Sequence, residues 1–326
     1  MPTPRIFSVT PPVTIPGGRV ALTGADFPVG LDPIEVRVGN EPARVVFASG
    51  TELGIIVSTS ASGALPITVA GVDSGVTLHV AAAVATGLHQ VDSPALDAMR
   101  NLYVTYSGSR GQEVPVSIFR VPYGGGREGF SATVTNPTSL AFSPEGNLFV
   151  SSRFEGAVYA LSNDGSAEVF ASDLGICCGL AFAPDGTLYV GDRSGTVFEV
   201  SPAGQTRAFA TLPSSVAAFH LALGADGLYV TAPTLSARDA IYRIAPDGEV
   251  AVVHTGFGRP QGIAFSPDGV LHVVEALAGV SGLYRVVEGR APELVVAGPK
   301  LVGVAFDADD MIVCSADTAY RVPRLP

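Results

Sequence analysis

A repeat of about 40 residues dominates the chain from about residue 90 to its end. Each copy contains a hydrophobic strand, a tight turn and a second strand, as in residues 140–150 and 180–190. Because glycine adopts a positive φ without strain, a glycine at the end of such a turn favours a hairpin with a bulge. The turn glycines, which follow one another at intervals of 40, 41 and 42 residues, are Gly146, Gly186, Gly227 and Gly269.

Two weaker copies, residues 94–104 and 304–313, bring the number of repeats to six. They carry Arg100 and Asp310 where the others have glycine; aspartate tolerates a positive φ better than arginine does. Each copy continues with two more short strands, and four strands at this period are typical of a β-propeller blade. The sequence therefore predicts a six-bladed propeller.

The last repeat lacks a fourth strand before the chain ends. Residues 82–88 match the outer strand of the second blade, residues 168–174. We therefore expect residues 82–85 to complete the sixth blade, because such closure removes the open edges that invite aggregation.

The first 80 residues have a different pattern, with turn signals every 8–12 residues. Alternating apolar runs lie between them, for example residues 20–22, 34–38 and 65–69. This pattern predicts a small antiparallel sandwich. The expected fold is thus all-β, with a β-sandwich domain at residues 1–80 and a propeller at residues 81–326.

Several N-terminal motifs resemble the IPT/TIG domain family: residues 4–11, Gly17-Gly18, residues 22–24 with Phe27, and residues 34–39. The resemblance implies an immunoglobulin-like sandwich, used in surface proteins, carbohydrate-active proteins and some transcription factors. The DNA-binding members use basic loops. Only four basic residues stand in this segment, which disfavours that role: Arg5, Arg19, Arg37 and Arg44.

The repeats, above all residues 186–192 and 262–269, resemble the superfamily of NHL-repeat proteins and the gluconolactonase/regucalcin lactonases. The lactonases hold a divalent metal with one Glu and several Asn and Asp at the channel mouth. Asp92-Ser93-Pro94 stands near the place of their Glu-Gly-Pro, and Gln261 takes the Asn position of their Pro-Asn-Gly. Their Asn-Asp pair has no counterpart, so the resemblance carries over only Asp92 and Gln261.

Propellers bind ligands at one mouth of the channel that their innermost strands line. Aligned repeats place one side chain per blade just before each inner strand, namely Asp92, Thr138, Cys178, Phe219, Gln261 and Val302, with His220 beside Phe219. A second ring follows the second strands, namely Tyr106, Ser152, Arg153, Asp192, Arg193 and Glu275. We expect a ligand site formed by Asp92, Thr138, Cys178, His220, Gln261, Arg153, Arg193 and Glu275.

Two roles remain open for most of these residues. His220 and Asp192 are the catalytic candidates, and Asp92, Gln261 and Asp192 are the metal-ligand candidates. Each has a structural alternative: an Asp or Glu after a strand often binds backbone in the next loop, and a histidine in a wall is often simply hydrogen-bonded. Cys177-Cys178 could bind a soft metal, but buried cysteines usually act as small apolar residues.

Composition limits the partners and leaves the compartment open. The net charge of −11 disfavours nucleic acid as a partner, and no apolar stretch approaches the roughly 18 residues of a membrane span. Three cysteines, two of them adjacent, are no disulfide framework. We expect a cytoplasmic protein if Met1 is the native start, and an exported bacterial protein if a signal peptide was removed.

Three functional hypotheses follow. The first is a binding propeller with an accessory immunoglobulin-like domain, which holds a small molecule, glycan or protein at one channel mouth. The second is a metal-dependent lactonase or ester hydrolase, whose cofactor would be Ca²⁺, Mg²⁺, Mn²⁺ or Zn²⁺. The third is a structural subunit of a larger assembly, because only 15% of the residues are charged.

Overall fold

A computed structural model describes residues 3–323 of the chain, apart from residues 31 and 278. Throughout this part the regular structure is β-strand, as expected for an all-β protein. The strands up to residue 86 are β1 (Arg5–Thr10), β2 (Val13–Thr14), β3 (Arg19–Ala25), β4 (Val36–Val38), β5 (Glu41–Ala48), β6 (Glu52–Ile56), β7 (Gly63–Val69), β8 (Val72–Val80) and β9 (Ala82–Thr86).

Strands β1 to β8 form one hydrogen-bonded series in the order β1-β3-β6-β5-β4-β7-β8-β2. β1 also contacts β8 although the two are not hydrogen-bonded neighbours, so the series curls over a common core. The alternation of buried and exposed residues along β3 delivers Val20 and Leu22 to that core. Leu53, Ile55 and Ile67 are fully buried beside them.

The remaining strands follow the repeat. They are β10 (Ala95–Leu96), β11 (Leu102–Thr105), β12 (Ile118–Val121), β13 (Glu128–Ser131), β14 (Pro137–Phe142), β15 (Leu148–Ser152), β16 (Ala157–Leu161), β17 (Ala167–Ala171), β18 (Cys177–Phe182), β19 (Leu188–Asp192), β20 (Thr196–Val200), β21 (Thr206–Thr211), β22 (His220–Gly224), β23 (Gly227–Thr231), β24 (Asp239–Ile244), β25 (Val250–Phe257), β26 (Pro260–Phe265), β27 (Leu271–Glu275), β28 (Gly282–Val286), β29 (Glu293–Ala297), β30 (Leu301–Phe306), β31 (Asp310–Ser315) and β32 (Thr318–Pro323).

Five separate four-stranded antiparallel sheets form blades: β10–β13, β14–β17, β18–β21, β22–β25 and β30-β31-β32-β9. The prediction of six such blades is therefore wrong in its count of separate sheets. Strands β26–β29 do form an antiparallel series in the predicted place, but this series is not a sheet of its own. It belongs to a 12-stranded sheet with the N-terminal strands, because β2 pairs in parallel with both β8 and β29.

The first strands of successive repeats contact one another from β10 through β14, β18, β22 and β26 to β30, and β30 contacts β10 again. The strands thus surround a central channel. β9 pairs antiparallel with β32, with Ala85 opposite Ala319. The expected completion of the last blade by an N-terminal strand is therefore present in the structure.

The repeated hairpin turn has the expected geometry at Gly146, Gly186 and Gly269, whose φ values are +87°, +85° and +78°. Arg100 occupies the same position of the first blade with a φ of +65°. Its guanidinium group binds Asp307, Asp309 and Asp310 at the turn of the last blade, at 2.9–3.0 Å. These ion pairs offset the unfavourable backbone conformation and join the first blade to the last.

Aromatic contacts join neighbouring blades. The phenylalanine of one inner strand packs against the second strand of the preceding blade, as in the edge-to-face pairs Tyr103–Phe142 (5.4 Å) and Tyr229–Phe265 (5.1 Å). His272 takes the aromatic position against Phe306, with ring centroids 4.9 Å apart. The repeated Ala-Phe of the sequence is thus a packing feature, which fits a structural role for His272.

Candidate functional site

A β-bulge at the start of the inner strands sets which side chains reach the channel. Between Pro137 and Leu140, two residues of β14 oppose one residue of β15, and the same irregularity recurs in β18 and β26. A bulge of this kind bends the strand and redirects a side chain. Strand β22 has no such irregularity, because His220 pairs directly with Thr231 and Leu221 with Val230.

The missing bulge corrects one sequence alignment. Phe219, expected to line the channel, is fully buried in the core between the third and fourth blades. A Cβ built on Gly191 of the third blade would lie 2.7 Å from Phe219 Cβ, so the ring needs that glycine beside it. His220, the next residue, reaches the channel as expected.

Three of the expected residues form one hydrogen-bonded chain across the channel. The ring of His220 lies between Asp92 and Gln261, with Nδ1 2.5 Å from Asp92 Oδ1 and Nε2 3.1 Å from Gln261 Oε1. Because an ionised carboxylate only accepts hydrogen bonds, Nδ1 carries a proton and donates it. All three side chains are buried, so the first, fourth and fifth repeats are tied together at this level.

Backbone and hydroxyl contacts fix this chain in place. Asp92 Oδ1 also accepts the Ser93 N–H at 2.6 Å, and Thr231 Oγ1 donates to the Gln261 carbonyl at 2.5 Å. A Cβ on Gly262 would lie 2.6 Å from Gly303 Cα, so these glycines allow the fifth and sixth inner strands to approach closely. The three side chains are therefore held rigidly.

Thr138 and Cys178, the expected residues of the second and third repeats, are also buried here. Thr138 Oγ1 donates to the Asn136 carbonyl at 3.3 Å, and the Cys178 thiol lies 3.3 Å from the Ile176 carbonyl. Burial raises the pKa of the Cys178 thiol to about 12. The thiol is thus neutral and acts as a packed side chain. We call the set Asp92, Thr138, Cys178, His220 and Gln261 the polar mouth of the channel.

Two carboxylates of the second ring bind backbone. Glu275 accepts the N–H groups of Gly258, Arg259 and Leu277 at 2.5, 2.8 and 2.7 Å. Asp192 accepts the Ile176 N–H at 2.8 Å and the Ser194 hydroxyl. Both residues thus bind loop backbone, which is the alternative to ligand binding that the sequence left open. Their contacts hold the loops around the polar mouth.

Arg153 and Arg193 follow the second strands of neighbouring blades and lie at the same end of the channel as the polar mouth. Each donates one Nη2 hydrogen bond to a loop carbonyl: Arg153 to Gly108 at 3.1 Å and Arg193 to Val216 at 2.9 Å. Burial lowers the pKa of Arg153, and the charge of Arg193 lowers it further. Both guanidinium groups are thus anchored to loops around the polar mouth.

Beyond the polar mouth, the channel opens at the hairpin end into a cavity of about 350 Å³. Asp92, Ser93 and Ser139 line its inner end, and Phe182, Phe265 and Phe306 line its outer end. The channel thus has one polar end with charged groups and one largely apolar end.

The candidate metal ligands make different contacts in the structure. Within residues 3–323, leaving out 31 and 278, no group of three or more His, Cys, Asp or Glu side chains is arranged to hold a metal ion. Asp92 and Gln261 meet at His220, whereas Asp192 is bound to the loop at Ile176.

Across the part of the chain that the structure describes, no helix is long and apolar enough to cross a membrane.

Comparison with known proteins supports both halves of the chain. Residues 4–82 match the model of the IPT/TIG domain, in agreement with the resemblance found in the sequence. Among curated protein sequences none matches this chain. Three solved structures that match it are each 14% identical to it, so they show the fold alone.

An auxiliary nutrient binding protein from Bacteroides ovatus matches at a TM-score of 0.56 and 14% identity, over 99% of each chain. Virginiamycin B lyase from Staphylococcus aureus matches at a TM-score of 0.55 and 14% identity, over 74% of this chain and 97% of that one. A protein proposed to be a gluconolactonase matches at a TM-score of 0.61 and 14% identity, over 74% and 91%. The C-terminal part is thus a β-propeller similar to those of binding proteins and of enzymes.

Proposed function

We propose that this protein is a binding propeller, which holds a small molecule or glycan at the polar mouth and carries an accessory immunoglobulin-like domain. The proposed domains are residues 1–80 and 81–326. We further propose that β26–β29 act as a blade, which makes the ring six-bladed and of the NHL/gluconolactonase type. The contacts of β26 with β22 and β30 support this count.

The observation that carries the proposal is the hydrogen-bonded chain Asp92–His220–Gln261. A general base must reach the proton that it removes, but both ring nitrogens of His220 are engaged and the ring is fully buried. A rigid polar wall of this kind suits recognition, because preorganised groups lose little freedom when a ligand binds. The similarity to an auxiliary nutrient binding protein supports the same choice.

A thermal-shift screen of sugars, oligosaccharides, amino acids and organic acids tests the proposal. We expect at least one compound to raise the melting temperature of the wild type and to lose that effect in Gln261→Met, which removes the amide at nearly constant size. Gln205→Met is the matched control, because Gln205 is an exposed turn residue. Circular dichroism checks that both variants are folded. A screen without any shift, or a shift that Gln261→Met retains, contradicts the proposal.

A metal-assisted lactonase or ester hydrolase is the second candidate, favoured by the TM-score of 0.61 to the protein proposed to be a gluconolactonase. Asp92, Gln261 and Asp192 would be its ligands, with His220 or Asp192 as base. This function requires the channel residues to rearrange around a divalent ion. Metal analysis of the purified protein, with melting curves in Ca²⁺, Mg²⁺, Mn²⁺ and Zn²⁺, tests it. One bound ion per chain supports this function. A protein that contains no metal and whose melting temperature does not change with any of the added ions contradicts it.

A further inference from the structure

A cavity of about 770 Å³ lies at the outer edge of the ring, between the fourth blade and the β26–β29 series. The end of β25 lines one side of it, and the end of β27, β28 and the loops after them line the other. Small-molecule sites commonly enclose about 300–1,000 Å³. Among the described residues that line this cavity, none belongs to the polar mouth. A ligand bound here would therefore occupy a separate site.

An additional bulge in β25 places a charged side chain at this cavity. The pairing of β24 with β25 shifts register twice, at Val253 and at Gly256, whereas the described pairings of the other outer strands shift once. Gly256 has a φ of +119°, a backbone conformation that favours glycine. Its carbonyl accepts a hydrogen bond from Arg238 Nη1 at 2.8 Å. The bulge thus anchors Arg238, and bulges of this kind often lie beside functional sites.

One wall of the cavity is aromatic. The ring centroids of His254 and Phe257 lie 5.3 Å apart and those of Phe257 and Tyr284 lie 5.7 Å apart, both in edge-to-face arrangements. Leu277 and Val280 also line the cavity, although these residues are 46% and 50% exposed. Large apolar side chains that remain exposed beside a groove are typical of binding surfaces. The wall therefore suits the ring or the hydrocarbon chain of an apolar ligand.

The charged groups of the cavity are unevenly engaged. Glu275, the carboxylate that lines it, already accepts three loop N–H groups. Arg238 has no carboxylate partner among the described residues, whereas Arg243 of the same blade pairs with Asp226 at 2.6 Å. A guanidinium group has five N–H donors, and the bond to the Gly256 carbonyl uses one of them. Arg238 thus brings an unpaired positive charge and free donors to the cavity.

His254 adds an uncharged polar group to the aromatic wall. Burial lowers its pKa, so the ring is neutral near pH 7, with one nitrogen that donates and one that accepts. The described residues provide no hydrogen-bond partner for either nitrogen, and the ring contacts Phe257. Arg238 is therefore the cation among the described residues that line the cavity.

We infer that this cavity is a second ligand site, which takes a small aromatic or aliphatic carboxylic acid. The carboxylate pairs with Arg238, and the apolar part lies against His254, Phe257 and Tyr284. A planar guanidinium group can bind both oxygens of a carboxylate at once. One unpaired cation matches one negative charge, and the apolar wall disfavours a strongly hydrated dianion such as phosphate. The inference goes beyond the proposed function, because it adds a site apart from the channel.

Isothermal titration calorimetry at low ionic strength tests the inference with phenylacetate and hexanoate as probes and with phenylacetamide as their neutral counterpart. We expect at least one acid to bind the wild type with one site per chain. Arg238→Gln should weaken that binding at least about 10-fold, because it removes a charge-assisted hydrogen bond. Val280→Glu should also weaken it, because it adds a like charge at an exposed position of the cavity. Circular dichroism checks that both variants are folded.

Arg259→Gln is the matched control. Arg259 is likewise exposed and stands in the short connection from β25 to β26, but it does not line the cavity. We expect this variant to bind the acids as the wild type does. The inference is wrong if neither acid binds, if phenylacetamide binds the wild type as tightly as the acids, or if Arg259→Gln weakens binding as much as Arg238→Gln.

Gln261→Met separates this site from the polar mouth. Gln261 does not line the cavity, so this variant should bind the acids as tightly as the wild type. Acid binding that is lost in Gln261→Met and retained in Arg238→Gln would place the ligand in the channel and overturn the inference. A thermal shift that an apolar acid produces and that Arg238→Gln abolishes belongs to this cavity, and it does not bear on the polar mouth. The two proposals can therefore fail independently.

Discussion

Replacing Asp92 by alanine tests whether the chain Asp92–His220–Gln261 stabilises the ring. The variant leaves two buried donors without a partner, His220 Nδ1–H and the Ser93 N–H. Each unsatisfied group costs about 1–3 kcal/mol, so the two together cost about 2–6 kcal/mol. A domain of this size loses about 2–4 °C of melting temperature per kcal/mol. We therefore expect a fall of about 4–24 °C.

Differential scanning calorimetry measures the effect, and Asp226→Ala is the matched control. Asp226 forms an exposed ion pair with Arg243 at 2.6 Å, and such pairs contribute little to stability. Asp92→Asn keeps an acceptor oxygen, so we expect it to melt between Asp92→Ala and the wild type. The double variant Asp92→Ala/His220→Phe should lose less than the sum of the two single variants. If Asp92→Ala melts within the range of Asp226→Ala, the stabilising role of the chain is refuted.

Three further variants or conditions test other features of the fold. In urea unfolding, Gly165→Ala should lower the free energy of unfolding more than Gly146→Ala. Both positions have a positive φ, which costs alanine about 1–2 kcal/mol, but only at Gly165 would the new Cβ lie against a backbone oxygen, that of Phe130. Equal losses of unfolding free energy would contradict this packing. Although burial acts to raise it, the pKa of Asp307 is lowered by the Asp310 and Asp309 N–H groups and by Arg100. The ionised Asp307 therefore stabilises the fold above its unfolded pKa of about 3.9, and this stabilisation is lost as the pH falls further. Arg100→Ala should reduce the acid sensitivity of melting curves recorded between pH 6 and 2.5, and an unchanged profile would argue against this role of Arg100. Burial raises the pKa of three thiols, those of Cys177, Cys178 and Cys314, to about 12. A thiol reagent at pH 8 should therefore label none of them in the native protein and all three in 6 M guanidinium. Rapid labelling of the native protein would show that the channel wall opens.

Local rules in the sequence predicted the blades well. The interval between turn glycines rests on backbone sterics that act within one repeat, and the closing strand was recognised because residues 82–88 match the outer strand of another repeat. Gly146 and Gly186 therefore have the expected positive φ, and β9 pairs with β32. Arg100 adopts the same conformation as glycine because ion pairs to the opposite end of the chain support it, which no local rule describes.

The candidate site was predicted less completely. Phe219, which the alignment of the repeats placed in the channel ring, is buried in the core, whereas His220 reaches Asp92 and Gln261 in the expected site. The inner strand β22 lacks the bulge of β14, β18 and β26, and the alignment does not show this difference. The separate-blade count failed because β2 joins two sheets through a single residue pair, Thr14 and Ala297, and a two-residue strand leaves no pattern in a sequence. The sequence also left open whether Asp192 and Glu275 bind a ligand or the backbone. Their hydrogen bonds to loop N–H groups depend on the shape of those loops, which the sequence pattern does not describe.

The pairing of β9 with β32 also has a consequence for synthesis of the chain. Residues 82–86 leave the ribosome early, but their partner, residues 318–323, leaves it much later. At about 5–20 residues per second, roughly 10–50 s pass between the two events. During that time β9 is an unpaired edge strand and the ring is open, so every nascent chain passes through a stage at which it can pair with a neighbour on the same message. Slower translation of the last repeat should therefore lower the yield of folded protein without altering its stability.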